Sequence, residues 1–302
     1  MIQSPQDPLP ILATAVVPWT ADFRFDAETF RRQVRTIARN LTRHIYIFGT
    51  AGEGYAVTEA QFREIATCFS EISEEENVTP MLGVISLSLP TIAQRIAWGH
   101  SLGYRNFQLS LPAWGALNDR ELDTFFAETC GRFPDSHFHH YNLARSNRVL
   151  TAVDYRRLAD AHPNFVAVKA SVSDPAIIRD FMALAPRLQF FFTERGYVEA
   201  RKLGPCGFLI SLASVNPAQA KAFVAGDDAF RLQAFEGVAA MGKKLKEIHG
   251  GCYHIDGAFD KMLFRVSDPT FPLRLLPPYE FASEADFDAF RAAIPPEWRQ
   301  RA

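Results

Sequence analysis

FVAVKAS at 165–171, DPAIIRDFMAL at 174–184 and QFFFT at 189–193 decide how this chain folds. The first and third runs are short and apolar, as suits strands; Pro80–Ile85 and Phe208–Ala213, elsewhere in the same pattern, are apolar on both faces, as buried parallel strands are. Between them, Asp174 and Pro175 place a capping carboxylate before a proline at the first helical position. Apolar residues then follow at helical spacing. Strand, helix and strand in that order make a βαβ unit, which implies parallel strands.

The same alternation extends outward in both directions. Further apolar runs are Leu12–Trp19, His44–Gly49, Pro80–Ile85, Asn106–Pro112, His137–Asn142 and Phe208–Ala213. Helical patterns fill the gaps: Ala27–Asn40, Thr58–Ile72, Thr91–Leu102, Asp119–Phe133, Val153–Ala161, Tyr197–Leu203 and Pro217–Ala225. Phe30, Val34, Ile37 and Leu41 recur at spacings of three and four, which gives one apolar helical face. Thr58 with Gln61 reads as a capping box, and Asn216 before Pro217 repeats the cap-plus-proline signal. Eight strands alternating with eight helices predict an α/β fold, a closed (β/α)8 barrel. The alternative is a doubly wound open sheet. Its dinucleotide form wants a glycine-rich fingerprint after the first strand, and Pro18-Trp19-Thr20 is not one.

The repeat ends near Gly226. Three helical stretches follow, Asp228–Ile248, Asp256–Val266 and Glu284–Ile294, with the proline-rich link Pro272–Tyr279 between the last two. The expected organisation is a barrel over 1–226 and a helical extension over 227–302 packed on it, forming a single structural unit.

Composition bounds the function. The chain has 302 residues, is 48% hydrophobic and 22% charged, and carries a formal charge of −2. It can bury a large core, and its charge balance gives no polyelectrolyte argument for nucleic acid or an acidic membrane. Cys68, Cys130, Cys206 and Cys252 lie far apart without metal-finger spacing, so buried free thiols in a reducing compartment are expected. Met1–Pro10 lacks the basic and apolar regions of a signal peptide. No run approaches the roughly 18 apolar residues of a membrane helix. A cytoplasmic protein with no membrane partner is the expectation.

Lys169 is the most anomalous residue. It stands near the C-terminal end of an apolar strand, where barrel active sites lie. A buried ammonium is costly, so desolvation favours the free amine, which attacks carbonyls to form a Schiff base. A lysine snorkelling from the strand end, or paired with a carboxylate, is the other reading. Tyr141 ends the preceding strand. A phenol beside an amine can shuttle protons, or it can simply bond backbone. Gly49-Thr50-Ala51-Gly52-Glu53-Gly54 follows the second strand. Its glycines and exposed N–H groups suit a small anion such as a carboxylate, but it has no nucleotide P-loop signature. His137 and His139 share a strand face. That pair can ligate a metal, yet no partner carboxylate cluster accompanies it, and polar filling of the barrel interior is preferred. No metal site is predicted.

These residues resemble the dihydrodipicolinate synthase / N-acetylneuraminate lyase family of class I pyruvate-dependent aldolases, over about Leu12 to Pro278. Val17-Pro18-Trp19 looks like the family's first-strand T-P-F, and Gly49–Glu53 like G-[TS]-T-G-E. Tyr141-Asn142 looks like the opening of Y-N-x-P, and Val168-Lys169 like the strand-six lysine signature. Ile210-Ser211-Leu212 resembles the strand-eight segment. The resemblance implies a TIM barrel with C-terminal helices, assembled as a homotetramer or homodimer. It implies no cofactor beyond a covalent imine on Lys169. It assigns Lys169 to the Schiff base, Tyr141 to proton transfer, and Thr50 to the relay and the substrate carboxylate. Backbone groups at Ala51 and Gly52 would complete that cradle, and Trp114, Ser146 and Ile210 would border the substrate.

Departures from the pattern bear on the substrate. Ala51 replaces a hydroxyl residue. Leu111-Pro112-Ala113-Trp114 replaces T-P-Y-Y, so the tyrosine that synthases use in a relay is missing. Trp114 instead resembles the P-x-W of hydratase-aldolases acting on aromatic 2-oxo acids. Ser146 stands where synthases have an arginine, with Arg145 and Arg148 as neighbours that could compensate. Gly196-Tyr197-Val198-Glu199 loosely resembles a strand-seven segment of sialic acid lyases. These changes argue against lysine biosynthesis. The expected activity is a class I aldolase or lyase acting on pyruvate or another 2-oxo acid, with an aldehyde as co-substrate or product. The alternatives are a 2-keto-3-deoxy sugar acid dehydratase using the same lysine, and a non-catalytic barrel that binds a 2-oxo acid.

Overall fold

The computed structural model describes residues 11–209, 214–250 and 256–299. Eight parallel strands follow one another in chain order around a closed barrel. They are β1 Ile11–Thr14, β2 His44–Ile47, β3 Thr79–Gly83, β4 Asn106–Leu109, β5 His137–Asn142, β6 Phe165–Ala170, β7 Gln189–Phe192 and β8 Gly207–Leu209. The alternating helices are α1 Ala27–Asn40, α2 Glu59–Glu75, α3 Leu89–Ser101, α4 Asp119–Phe126, α5 Ala152–Ala161, α6 Pro175–Met182, α7 Glu194–Arg201 and α8 Pro217–Ala225. The C-terminal helices are α9 Asp228–His249, α10 Asp256–Arg265 and α11 Glu284–Ala293. The fold is the (β/α)8 barrel with a C-terminal helical extension that the alternation predicts.

The local signals act as expected at the helix starts. Thr58 and Gln61 form a reciprocal capping box at α2. Asp174 and Asn216 cap α6 and α8, each with proline in the first turn. Some boundaries move, for identifiable reasons. The run Leu12–Trp19 yields a strand only to Thr14. Beyond it the Ala15 N–H still donates to the Tyr46 carbonyl at 2.9 Å and Trp19 makes an isolated bridge with Phe25, while Val16 and Val17 stay buried outside the strand, so apolarity there reports burial more than a continuous ladder. The predicted helix 119–133 is α-helical to Phe126 and then π-helical over Ala127–Gly131. Thr129 Oγ1 donates to the Phe125 carbonyl at 2.8 Å and competes with the backbone ladder there. α7 starts at Glu194, three residues before the predicted Tyr197. Gly196 lies inside this helix, where a Cβ would come within 2.3 Å of the Val172 carbonyl. It permits close packing rather than breaking the helix. The end of the run Phe208–Ala213 lies outside the described residues.

The chain packs as two compact units. One gathers residues 11–12 with 79–209, the other 13–78 with 214–250 and 256–299. In the first, the outer faces of β5–β7 carry an aromatic cluster. Phe126 meets Phe165 at 5.2 Å between ring centroids, Phe181 stacks on Phe190 at 5.3 Å, and Tyr155 joins both groups. Much of the Phe-rich composition goes to such packing rather than to a ligand pocket. In the second unit, Arg31, Arg35 and Arg39 of α1 pair with Glu71, Glu75 and Glu76 of the α2 segment. These pairs are solvated, and each contributes little. Cys68, Cys130 and Cys206 are buried and form no disulfide among the described residues; Cys252 lies outside the described residues. Among the described residues no helix is long and apolar enough to cross a membrane.

Candidate active site

The strand register brings Lys169 and Tyr141 side by side. β5 and β6 pair so that Tyr141 lies opposite Lys169, and β6 pairs with β7 so that Lys169 lies opposite Phe191. Lys169 is 6% exposed and Tyr141 6% exposed. Lys169 Nζ stands 3.6 Å from the centroid of the Tyr141 ring. The phenol face therefore forms one wall around the amine. Both side chains belong to the C-terminal ends of their strands, the catalytic end of such barrels.

The layer toward the strands' N-termini is polar. Gln108 of β4 lies opposite His139 of β5, and the His139 ring is 6.0 Å from that of Phe191. Just beyond β4, Ser110 is buried, and its hydroxyl has no partner among the described residues. His137 is held below the ordinary histidine range by burial. Among the described residues no group of three or more His, Cys, Asp or Glu is gathered as for a metal ion.

The residues after Tyr141 brace their own loop. The Asn142 side chain donates to the Leu150 carbonyl and accepts from the Leu150 N–H, both at 2.9 Å. This closes the loop back onto the strand end that carries Tyr141. Ser146 is buried with its hydroxyl donating to the carbonyls of Leu143 and Arg148, at 2.6 and 2.9 Å. It is turned onto the loop's own backbone. Arg148 reaches the Leu117 carbonyl and the carboxylates of Asp119 and Asp154, so its guanidinium ties this loop to the one after β4. Trp114, on that other loop, is 90% exposed. Ile210 lies outside the described residues.

Glu194, at the start of α7, is half-buried, and burial pushes its carboxyl up to about 7. In the sequence the helical pattern begins at Tyr197, which leaves Glu194 in the turn after the strand and outside any predicted element.

The Gly49–Gly54 loop has its own construction. Phe48 and Glu53 adopt left-handed backbone, with φ 59° and 55°. A Cβ at Gly52 would lie 2.8 Å from the Phe48 nitrogen, so only glycine fits there. Thr50 is 3% exposed, and its hydroxyl has no partner among the described residues. No described acceptor takes the N–H of Ala51 or Gly52. The loop thus holds unused donors, as an anion cradle requires.

Glu53 is fully buried and accepts three hydrogen bonds: from Trp19 Nε1 at 2.9 Å, Lys261 Nζ at 2.6 Å and the Leu276 N–H at 2.7 Å. Glu53 is legible in the sequence only as part of a motif, and Lys261 is not legible there as a site residue. The available signal was a lysine among apolar residues in the helical stretch Asp256–Val266.

No family model and no curated protein matches this sequence. Solved structures do match it. The prophage protein YagE of Escherichia coli K12, of the dihydrodipicolinic acid synthase family and solved with pyruvate, is 15% identical. The match covers 94% of this chain and 96% of that one, with a TM-score of 0.83. Dihydrodipicolinate synthase of Thermotoga maritima is 18% identical, with 95% and 98% covered and a TM-score of 0.80. CdNal of Clostridium difficile, solved with mannosamine, is 15% identical, with 96% and 99% covered and a TM-score of 0.80. The fold of this chain is therefore that of the dihydrodipicolinate synthase barrels.

Proposed function

We propose that this protein is a class I, Schiff-base-forming lyase of pyruvate or another 2-oxo acid. The observation that carries this reading is the buried Lys169 amine 3.6 Å from the Tyr141 ring at the ends of adjacent strands. A pyruvate complex among the structural neighbours supports it.

In this mechanism the neutral Lys169 amine attacks C2 of the 2-oxo acid and forms a carbinolamine. Tyr141 moves protons between the amine and the departing hydroxyl, and water leaves to give the iminium. The iminium draws electrons from the adjacent bond. In the cleavage direction the C–C bond breaks, the aldehyde departs after loss of its hydroxyl proton to a base, and the enamine is reprotonated. Hydrolysis then frees Lys169. The iminium formed between Lys169 and the substrate is itself the electron sink, so the proposed mechanism calls for no organic cofactor. Thr50 and the N–H groups of Ala51 and Gly52 are proposed to hold the substrate carboxylate, with their unused donors as support. Ser146 is engaged with its own loop, and Arg148 with the loop after β4. This supports an acceptor other than the carboxylate-bearing aldehyde that synthases use. Assembly as a homotetramer or homodimer is part of the proposal and is checked by sedimentation.

Borohydride reduction in the presence of pyruvate, read by intact and peptide mass, tests the reading. One covalent adduct on Lys169 is expected. An adduct elsewhere, or none with any 2-oxo acid tried, overturns it. Product analysis then separates the activities: an aldehyde plus pyruvate from a lyase, a dehydrated 2-oxo acid from a dehydratase, and no turnover from a barrel that only binds.

A further inference from the structure

We propose that Lys261 is a positioning residue: through its buried pair with Glu53 it sets the shape of the Gly49–Gly54 loop and hence the affinity for the 2-oxo acid carboxylate. The second half of this statement rests on the lyase reading above; the first does not.

Lys261 lies in the middle of α10, preceded by the buried Asp260 and followed by Met262, Leu263 and Phe264, and its side chain is fully buried. A lone lysine in such a helix invites replacement by an apolar residue. Its ammonium instead meets Glu53 Oε2 at 2.6 Å and also donates to the Arg274 carbonyl. The same carboxylate oxygen takes the Trp19 indole N–H at 2.9 Å, and Oε1 takes the Leu276 N–H at 2.7 Å. One carboxylate thus ties together the segment after β1, helix α10 and the chain that follows α10.

A buried ion pair is weak ground for stability, because desolving both charges offsets their attraction. What such a pair does supply is direction. Glu53 sits in left-handed backbone at φ 55°, a conformation a non-glycine residue holds only when its surroundings demand it. The three donors on its carboxylate make that demand. A second contact acts on the same loop. A Cβ at Gly257, in the first turn of α10, would lie 3.1 Å from the Ala51 carbonyl. Helix α10 therefore bears directly on the residues whose N–H groups are unused. The C-terminal helices accordingly shape the loop, in addition to covering apolar surface.

The test uses the full chain and two readouts. The first is hydrogen exchange over residues 49–54, which requires no substrate. The second is the pyruvate concentration giving half-maximal borohydride trapping, together with the limiting trapping rate. Lys261→Met leaves Glu53 buried without its counter-charge. It is expected to speed exchange over 49–54 but not over 137–142, and to raise half-saturation about tenfold or more, with the limiting rate within about threefold. The double variant Glu53→Gln/Lys261→Met removes the tie without leaving an unpaired charge; it is expected to keep the faster exchange over 49–54 and the raised half-saturation, which separates lost positioning from a stranded charge. If Lys261→Met does not fold, the double variant and Gly257→Ala carry the test. Gly257→Ala keeps every charge and is expected to raise half-saturation by pressing on Ala51.

A merely structural lysine would lower the folded fraction without moving half-saturation. Unchanged exchange over 49–54 in the folded variants overturns the positioning role. Changed exchange with wild-type half-saturation overturns the link to carboxylate affinity. A wild-type protein that takes up no 2-oxo acid overturns the lyase reading and, with it, that link; the exchange result still decides the positioning role.

Discussion

Lys169 Nζ and the Tyr141 ring lie 3.6 Å apart, across a strand pair whose register sets the two residues opposite each other. The ring and the hydroxyl of Tyr141 thereby do separable work. The ring walls the amine; the hydroxyl moves protons. Tyr141→Phe keeps the wall, so borohydride trapping on Lys169 is expected to persist while turnover falls by roughly 10²–10⁴-fold. Tyr141→Ala removes both and is expected to weaken trapping as well. Lys169→Ala should abolish trapping altogether. Near-normal turnover of Tyr141→Phe would remove the phenol from proton transfer.

Thr50→Val tests the loop hydroxyl. The Thr50 side chain is 3% exposed, and its oxygen has no partner among the described residues. Deleting it removes a buried polar group without breaking a bond, so the melting temperature is expected to hold or rise. If the hydroxyl donates to a bound carboxylate, half-saturation for pyruvate should rise about tenfold to a hundredfold. A lowered melting temperature with unchanged half-saturation would make Thr50 a packing residue.

The fold was legible because barrel strands and helices announce themselves over short windows: FVAVKAS and QFFFT for strands, Asp174-Pro175 for a helix start. Lys169 was legible because a charge at the end of an apolar strand is locally anomalous. Local windows do not report which side chains a loop turns onto itself. Ser146 was expected at the substrate, and its hydroxyl is on the carbonyls of Leu143 and Arg148. Glu53 and Lys261 lie far apart in sequence, and no spacing rule joins them. Nor does apolarity separate a buried ladder from a buried coil, which is why β1 ends at Thr14 while burial continues to Trp19.

Gly207→Ala probes the wall on the other side of Lys169. Gly207 of β8 lies opposite Phe191, which in turn lies opposite Lys169. A Cβ at Gly207 would come 2.3 Å from Phe191 Cδ1, and Phe191 is itself 1% exposed. The ring must move within a packed layer, which costs about 1–3 kcal/mol. A lower midpoint in urea and slower trapping on Lys169 are expected together. A wild-type midpoint would mean that the Phe191 ring has room to swing away, in which case trapping should also be unchanged.

His140 gives the fold an acid limb of known sign. Its ring is fully buried, with Nδ1 2.9 Å from the Tyr155 hydroxyl, and burial holds its pKa down at about 3 against an ordinary 6.5. The folded protein therefore keeps the imidazole neutral at pH values where the unfolded chain has already protonated it. Stability is full above pH 6.5 and falls as the pH drops from 6.5 toward 3, since the unfolded state binds the extra proton. At pH 4.5 this single group should account for a loss of about 2–3 kcal/mol relative to pH 8. His140→Gln keeps a polar partner for Tyr155 but cannot take the proton. At pH 8 the variant is expected to be less stable than the parent, by about 1 kcal/mol or more for the altered hydrogen bond and packing. Between pH 8 and pH 4.5 it should lose less stability than the parent does. Carboxylates elsewhere contribute equally to both proteins, so the difference between the two urea-unfolding curves isolates His140. Parallel pH dependence in parent and variant would show that His140 takes up its proton in the folded state as readily as in the unfolded one.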